Sequence, residues 1–401
     1  MRKTTRQKLN TRNIGIGSFI FALFLALFPI DSALGNIIGS MSLNNYVAMV
    51  ALLAVILFSH RRMKFADESV FLVIGIYLAY CIVTIILGPE IFGSRNLVFV
   101  IYMLIAIVLG SVSWTKDEVE LFKRSILLGL VIVIAIVFSR FDTDGSGRIY
   151  ITIGRNIDQN YLCANLIFST AILSENIVTK RYRWLSLILL VLEFAAIVML
   201  GSRGGLLGNL VVLAAYFVLK TRHAWKFCLA IIAIYFIVFG LFGDKLPSWI
   251  VERYDFKTVI HGTGSGRTII WADYLTKFRE ASVFKQLFGH GRGIIYESDF
   301  YKIATHNMFI KALMEGGIVG LIAYITFLIY MFCYAAKRYD FKSVAFIAGY
   351  IVSGMFLDLD DYRVFPVMII LTVMFAKKEE ERRSRRVCVS VDGNNGVTKL
   401  C

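Results

Sequence analysis

Long apolar runs, repeated along the chain and separated by short basic loops, constrain this sequence more than any other feature. Twelve can be marked, near Ile14–Ile30, Leu43–Phe58, Ser69–Gly88, Leu97–Trp114, Ser125–Ser139 and Tyr161–Val178 in the first half. The others lie near Trp184–Leu200, Gly204–Leu219, Ala224–Gly243, Gly317–Ala336, Phe341–Leu357 and Val364–Ala376. A membrane-crossing helix needs roughly 17–25 predominantly apolar residues. Barrel strands alternate apolar and polar residues, whereas Ser125–Ser139 is continuously apolar. Hydrophobic residues make up 58% of the 401 positions and charged residues 18%, against about 45–50% and about 25% in soluble domains. The expected fold is an all-α polytopic membrane protein of about twelve spans.

The charges assign sides. A net charge of +15 raises the possibility of nucleic-acid binding, since basic stripes track phosphates. Here, however, the cations sit in alternate loops, as positive-inside topology requires. A leader with Arg2, Lys3, Arg6, Lys8 and Arg12 is followed by Arg61, Arg62 and Lys64, then Lys116, Lys123 and Arg124. The same face receives Lys180, Arg181 and Arg183, then Lys220, Arg222 and Lys226, then Lys337, Arg338 and Lys342. Both termini are therefore expected in the cytoplasm. No small-x-small cleavage site follows the first run, which reads as a retained anchor. Residues 1–376 form the expected membrane domain, and 377–401 a disordered cytoplasmic tail with a basic cluster. The six cysteines show no pairing rhythm or zinc spacing. Cys81, Cys163, Cys228 and Cys333 lie in apolar runs and read as small packing residues.

The chemistry-bearing residues fall on the opposite face. A single helix from Trp184 to Leu219 would be about 54 Å long, too long for a core of about 30 Å. The segment must be a hairpin turning at Gly201–Gly205, with Arg203 at the membrane boundary. Arg203 either snorkels beside close-packed glycines or binds an anion at a pocket mouth. One long loop, residues 244–305, contains Arg253, "GTGSGR" ending in Arg267, and "LFGHGRG" with His290 and Arg292. The glycine run fits no dinucleotide fingerprint. By itself it reads as a flexible loop entering an amphipathic helix. "RNIDQN" places Arg155, Asp158 and Asn160 just before a span.

"THNMFIKALMEGG" is sharper. Thr305 is expected to cap a helix beginning at His306, with Lys311 and Glu315 as an i,i+4 pair and Gly316-Gly317 ending it. In that first turn the helix dipole would favour a neutral imidazole able to accept a proton. The alternative is a hydrogen-bonded interfacial histidine, and His261 and His290 compete for the same role. In "DLDDYR", Asp358 and Asp361 stand three residues apart but lack further oxygen ligands, so no metal site is assigned.

Taken in order, "DQN", "GSRGG", "SGR…IW…LFGHG" and "HNMFIKALMEGGIVGL" resemble the bacterial O-antigen ligase and O-antigen polymerase superfamily. The resemblance spans residues 148–321. It implies a GT-C-like membrane fold in the bacterial inner membrane, with an extracytoplasmic active site and no cofactor or metal. The implied reaction transfers a glycan from an undecaprenyl-pyrophosphate carrier to an acceptor hydroxyl. Polymerase is the favoured reading, with ligation to a lipid-core sugar or protein as the alternative. By motif, Arg203, Arg267 and His306 become the catalytic candidates, with Arg253 and Arg292 as alternatives to Arg267. Arg155, Asp158, Asn160, Arg253, His290, Arg292 and Asn307 become substrate-binding candidates. A transporter or flippase would instead predict matched halves with broken helices, which are not visible.

Overall fold

The computed structural model describes residues 15–33, 36–38, 41–59, 63, 68–89, 91, 93–139, 152–153, 155–156, 158–222, 229, 248–254, 266–297 and 304–395. The first half supplies α1 (Ile16–Leu27), α2 (Leu43–Ser59), α3 (Glu68–Ile86), α4 (Ser94–Ser111) and α5 (Lys116–Ser139). Next come α6 (Gln159–Asn165), α7 (Ile167–Val178), α8 (Arg183–Met199) and α9 (Arg203–Lys220). Three short helices follow, α10 (Ser248–Tyr254), α11 (Arg267–Glu280) and α12 (Val283–Phe288). The chain finishes with α13 (Met308–Lys337), α14 (Phe341–Gly354) and α15 (Val364–Asn395). Two small antiparallel hairpins are present, β1 (Asn36–Ile38) with β2 (Met41–Ser42) and β3 (Thr152–Ile153) with β4 (Arg155–Asn156).

Each expected span falls on a helix, with Tyr161–Val178 divided between α6 and α7, except Ala224–Gly243, which lies outside the described residues apart from Leu229. Ser69–Ile86, Lys116–Ser139, Gln159–Val178, Arg203–Lys220 and Met308–Lys337 are long and apolar enough to cross a bilayer. Large apolar side chains such as Phe19, Leu72, Ile76, Trp184 and Ile188 are exposed on the outer helix faces, as a lipid environment permits. The chain is an integral membrane protein.

Aromatic rings fill the interior. Phe21, Trp114 and Phe122 stack and cross edge-on at the α1–α5 contact. Tyr77, Phe327 and Phe365 join α3, α13 and α15. Helices α9 and α14 approach closely because glycines face each other: a Cβ on Gly349 would lie 2.3 Å from Val212 Cγ2 and 2.9 Å from the Gly208 carbonyl. Glu193 is buried between α7 and α8, where it accepts a 2.6 Å hydrogen bond from Ser169.

The bundle has two chemically distinct ends. Basic loops separated in sequence meet at one of them. Lys123 and Lys342 both contact Glu175, Arg181 contacts Glu120, Arg338 contacts Glu380, and Lys377 donates to the Gly110 carbonyl. The loops carrying Arg203, Arg292 and His306 lie at the other end. Two expectations need correction. Residues 377–395, read as disordered, continue α15, whose Lys378–Glu381 and Arg382–Glu379 pairs suit a solvated helix. Cys333 is exposed rather than packed, unlike the buried Cys81 and Cys163.

Candidate functional site

The site is organised by a break in α13. Gly317 has φ 66° and ψ −164°, far from helical values, so the carbonyls preceding it lose their partners within the helix. Other segments satisfy them. His290 N–H donates to the Met314 carbonyl at 2.9 Å and Gly291 N–H to that of Glu315 at 3.0 Å. The Tyr80 hydroxyl donates to the Gly316 carbonyl at 2.7 Å. Such backbone contact leaves no space for side chains. A Cβ on Gly291 would sit 2.3 Å from Gly88 Cα, and one on Gly289 2.3 Å from the Glu315 carbonyl oxygen. Both glycines also have positive φ. The glycines of "LFGHGRG" therefore dock the loop onto the broken helix.

That docking positions α11, which carries Arg267 at its first turn. Tyr274 packs with Ile295 and Met314 in a small separate core. Trp271 Nε1 donates to the Thr305 carbonyl at 2.9 Å. The Arg267 helix and the His306 turn are thus directly linked.

His306 differs from its expected setting. The helix begins at Met308, and its N-cap is Asn307, whose side-chain oxygen accepts from Phe309 N–H (2.9 Å) and Ile310 N–H (3.2 Å). His306 therefore lies before the helix, with φ 50°, and the first-turn dipole argument does not apply to it. A left-handed conformation is uncommon for a residue with a Cβ, though histidine tolerates it better than most. Asp358 holds the turn. Its carboxylate accepts from the Thr305 hydroxyl, from Asn307 N–H at 2.9 Å and from His306 N–H at 3.2 Å. Among the described residues, His306 Nδ1 is buried without a hydrogen-bond partner.

Arg203 stands at the first position of α9, behind the N-cap Ser202, which accepts from Gly205 N–H at 3.2 Å. The α8–α9 hairpin forms, but its turn falls at Leu200–Ser202 rather than Gly201–Gly205, and Gly204 and Gly205 lie in the first turn of α9. A helix N-terminus with an arginine beside it suits an anion. Arg267 is close enough to be influenced by Arg203. Burial lowers its pKa first, then the Arg203 guanidinium, while Asp158, Tyr161 and Asp358 act in the opposite sense. Arg203, Arg267, Asp158, Asp358 and the His306 turn therefore belong to one neighbourhood. Asp158 itself caps α6, accepting from Asn160 N–H at 2.8 Å.

Other candidates have more structural duties. Arg292 is buried, 3.8 Å over the Phe99 ring and 3.9 Å from Asp360, which removes its guanidinium from open solvent. Lys311 is also buried. It contacts Asp360 at 2.9 Å and Glu315 at 3.6 Å, so the expected pair with Glu315 exists within a four-charge network. Glu315 also accepts from Gly293 N–H at 2.9 Å. Arg253 Nε donates to the Gly201 carbonyl and ties α10 to the hairpin turn. His290 is half-buried, and its pKa is lowered by burial, then by Lys285 and Lys277. Arg155 lies in β4, and His261 lies outside the described residues. Asp358 and Asp360 were the residues sequence reasoning undervalued. Their only signal was an acidic cluster at a span end. Among the described residues, no three His, Cys, Asp or Glu side chains converge as a metal site.

Residues 187–325 match the family model described as O-antigen ligase, a segment from α8 through the first half of α13. That segment is similar to the O-antigen ligase family. No curated protein matches the chain.

Proposed function

We propose, for a chain whose residues 187–325 carry the O-antigen ligase signature, that it is an inverting glycosyltransferase. It would move a glycan from undecaprenyl pyrophosphate to an acceptor hydroxyl at the extracytoplasmic surface, most simply as a polysaccharide polymerase. Transfer to a lipid-core sugar or protein is the ligase alternative. Twelve spans with both termini in the cytoplasm, and residues 244–305 outside, belong to the same reading.

The convergence of Arg203, Arg267, Asp358 and His306 carries the proposal. Two neighbouring guanidiniums repel each other, and a pyrophosphate between them would relieve that repulsion. At 4 Å, opposite unit charges gain about 1 kcal/mol in water and about 4 kcal/mol at an effective dielectric of 20. Half-buried arginines can therefore stabilise a departing pyrophosphate in the role a metal often fills. Guanidinium also offers a planar fork to two phosphate oxygens. His306 would take the proton from the acceptor hydroxyl as its oxygen attacks the anomeric carbon. The C–O bond to pyrophosphate then breaks with inversion. Asp358 positions that histidine through its backbone.

The test is purified protein with a lipid-pyrophosphate-linked oligosaccharide, followed for chain extension with and without EDTA. Extension unchanged by chelator is expected. Absence of extension or of transfer to any hydroxyl acceptor would reject the enzyme reading. Loss of transfer on chelation, reversed by magnesium, would reject the metal-free mechanism.

A further inference from the structure

A cavity of about 1200 Å³ opens at the basic end of the bundle, away from the His306 turn, between α5, α7, α14 and α15. It exceeds the roughly 300–1,000 Å³ of ordinary small-molecule pockets. Its floor is charge-balanced. Glu175 lies between Lys123 (2.5 Å) and Lys342 (3.2 Å), and Lys342 also contacts Asp340 at 2.8 Å. The Phe375 ring lies near both ammonium groups, 5.6 and 5.1 Å away, and Trp114 and Val119 extend this apolar wall.

The rim is not balanced. Lys116, Arg181, Lys378, Arg382 and Arg385 face Glu120, Glu379 and Glu381. Two of those carboxylates are shared: Glu120 between Arg181 (2.8 Å) and Arg124 (3.8 Å), Glu381 between Lys378 (2.5 Å) and Arg385 (4.0 Å). Surplus cations at the mouth and an aromatic floor match a ligand that is anionic at one end and apolar at the other.

We propose that this cavity binds phosphate oxyanions, presented by the headgroup of an anionic phospholipid whose attached chain follows the apolar lining of the cavity. Arginine binds two phosphate oxygens at once while lysine supplies a point charge, and basic pockets between spans suit anionic headgroups. Soluble pyrophosphate shares the oxyanion chemistry but would leave the apolar wall unused. The site is independent of the proposed transferase chemistry, so either can fail alone.

The experiment uses the full chain in detergent, native mass spectrometry with phosphatidylglycerol against phosphatidylcholine, and thermal shift with inorganic pyrophosphate. The rim variant combines Lys116→Ala, Arg382→Ala and Arg385→Ala. A control variant removes equal charge at the far end through Lys277→Ala, Arg279→Ala and Lys285→Ala. Wild type and control should retain phosphatidylglycerol preferentially, and the rim variant should lose at least about tenfold of that preference. A pyrophosphate-dependent shift lost in the rim variant, without lipid preference, would support the oxyanion site and assign it to a soluble ligand. Equal behaviour of rim variant and wild type in both arms would overturn the proposal. So would an absence of both responses in wild type, or equal loss in the control.

Discussion

At His306, conformation and chemistry can be separated by substitution. Its φ of 50° is one that glycine adopts without penalty, so His306→Gly should keep or raise thermal stability while abolishing transfer. His306→Gln retains hydrogen bonding but has no useful basicity, and should lose about 10²–10⁴-fold in rate. Initial rates beside melting curves check both, and substantial turnover in His306→Gln would remove the base role. Arg203 gives a second discrimination. If it grips pyrophosphate, Arg203→Lys should fold normally yet lose about 10²–10³-fold, because ammonium cannot reproduce the fork. Near-normal turnover would leave it as an interfacial anchor. The hairpin and Arg203's place in it were legible in the sequence, since helix length and bilayer thickness are local quantities. The Asp358 pedestal was not, because that carboxylate lies 52 residues from His306 and meets it only through folding.

Among the elements, α9 and α14 depend on glycine for their distance of approach. Gly349→Ala places a methyl 2.9 Å from the Gly208 carbonyl and 2.3 Å from Val212. Overpacking of this kind costs about 1–3 kcal/mol, so the variant should melt at a lower temperature than wild type. An unchanged melting temperature would mean that the two helices separate without cost. The break in α13 is the second such device. "EGG" marks the break in the sequence, but its consequence is the capture of "LFGHGRG" by two freed carbonyls, those of Met314 and Glu315. Periodicity cannot show which loop will satisfy them. For the same reason Arg292, a substrate-binding candidate by motif, is buried against Phe99 and Asp360.

Over the whole molecule, the separation of basic and site-bearing ends makes a topological prediction. In a background lacking native cysteines, Glu280→Cys on α11 should react with an impermeant maleimide in intact spheroplasts. Ser384→Cys on α15 should react only after lysis. Both positions are exposed, so accessibility to the reagent reports sidedness. The reverse pattern would invert the proposed orientation.

Spans, hairpin and basic loops could be derived from the chain alone, because lipid sets a requirement that each segment meets by its own length and polarity. The exposed outer faces of α3 and α8 and the meeting of the basic loops carrying Lys123 and Lys342 at one end follow from that requirement. Which charges would be partners did not follow. Lys311 and Asp360 are 49 residues apart, and their 2.9 Å contact exists because α13 breaks and the segment after α14 folds back beside it. Charge pairing depends on distance in space, and in this bundle only helix packing brings those residues together.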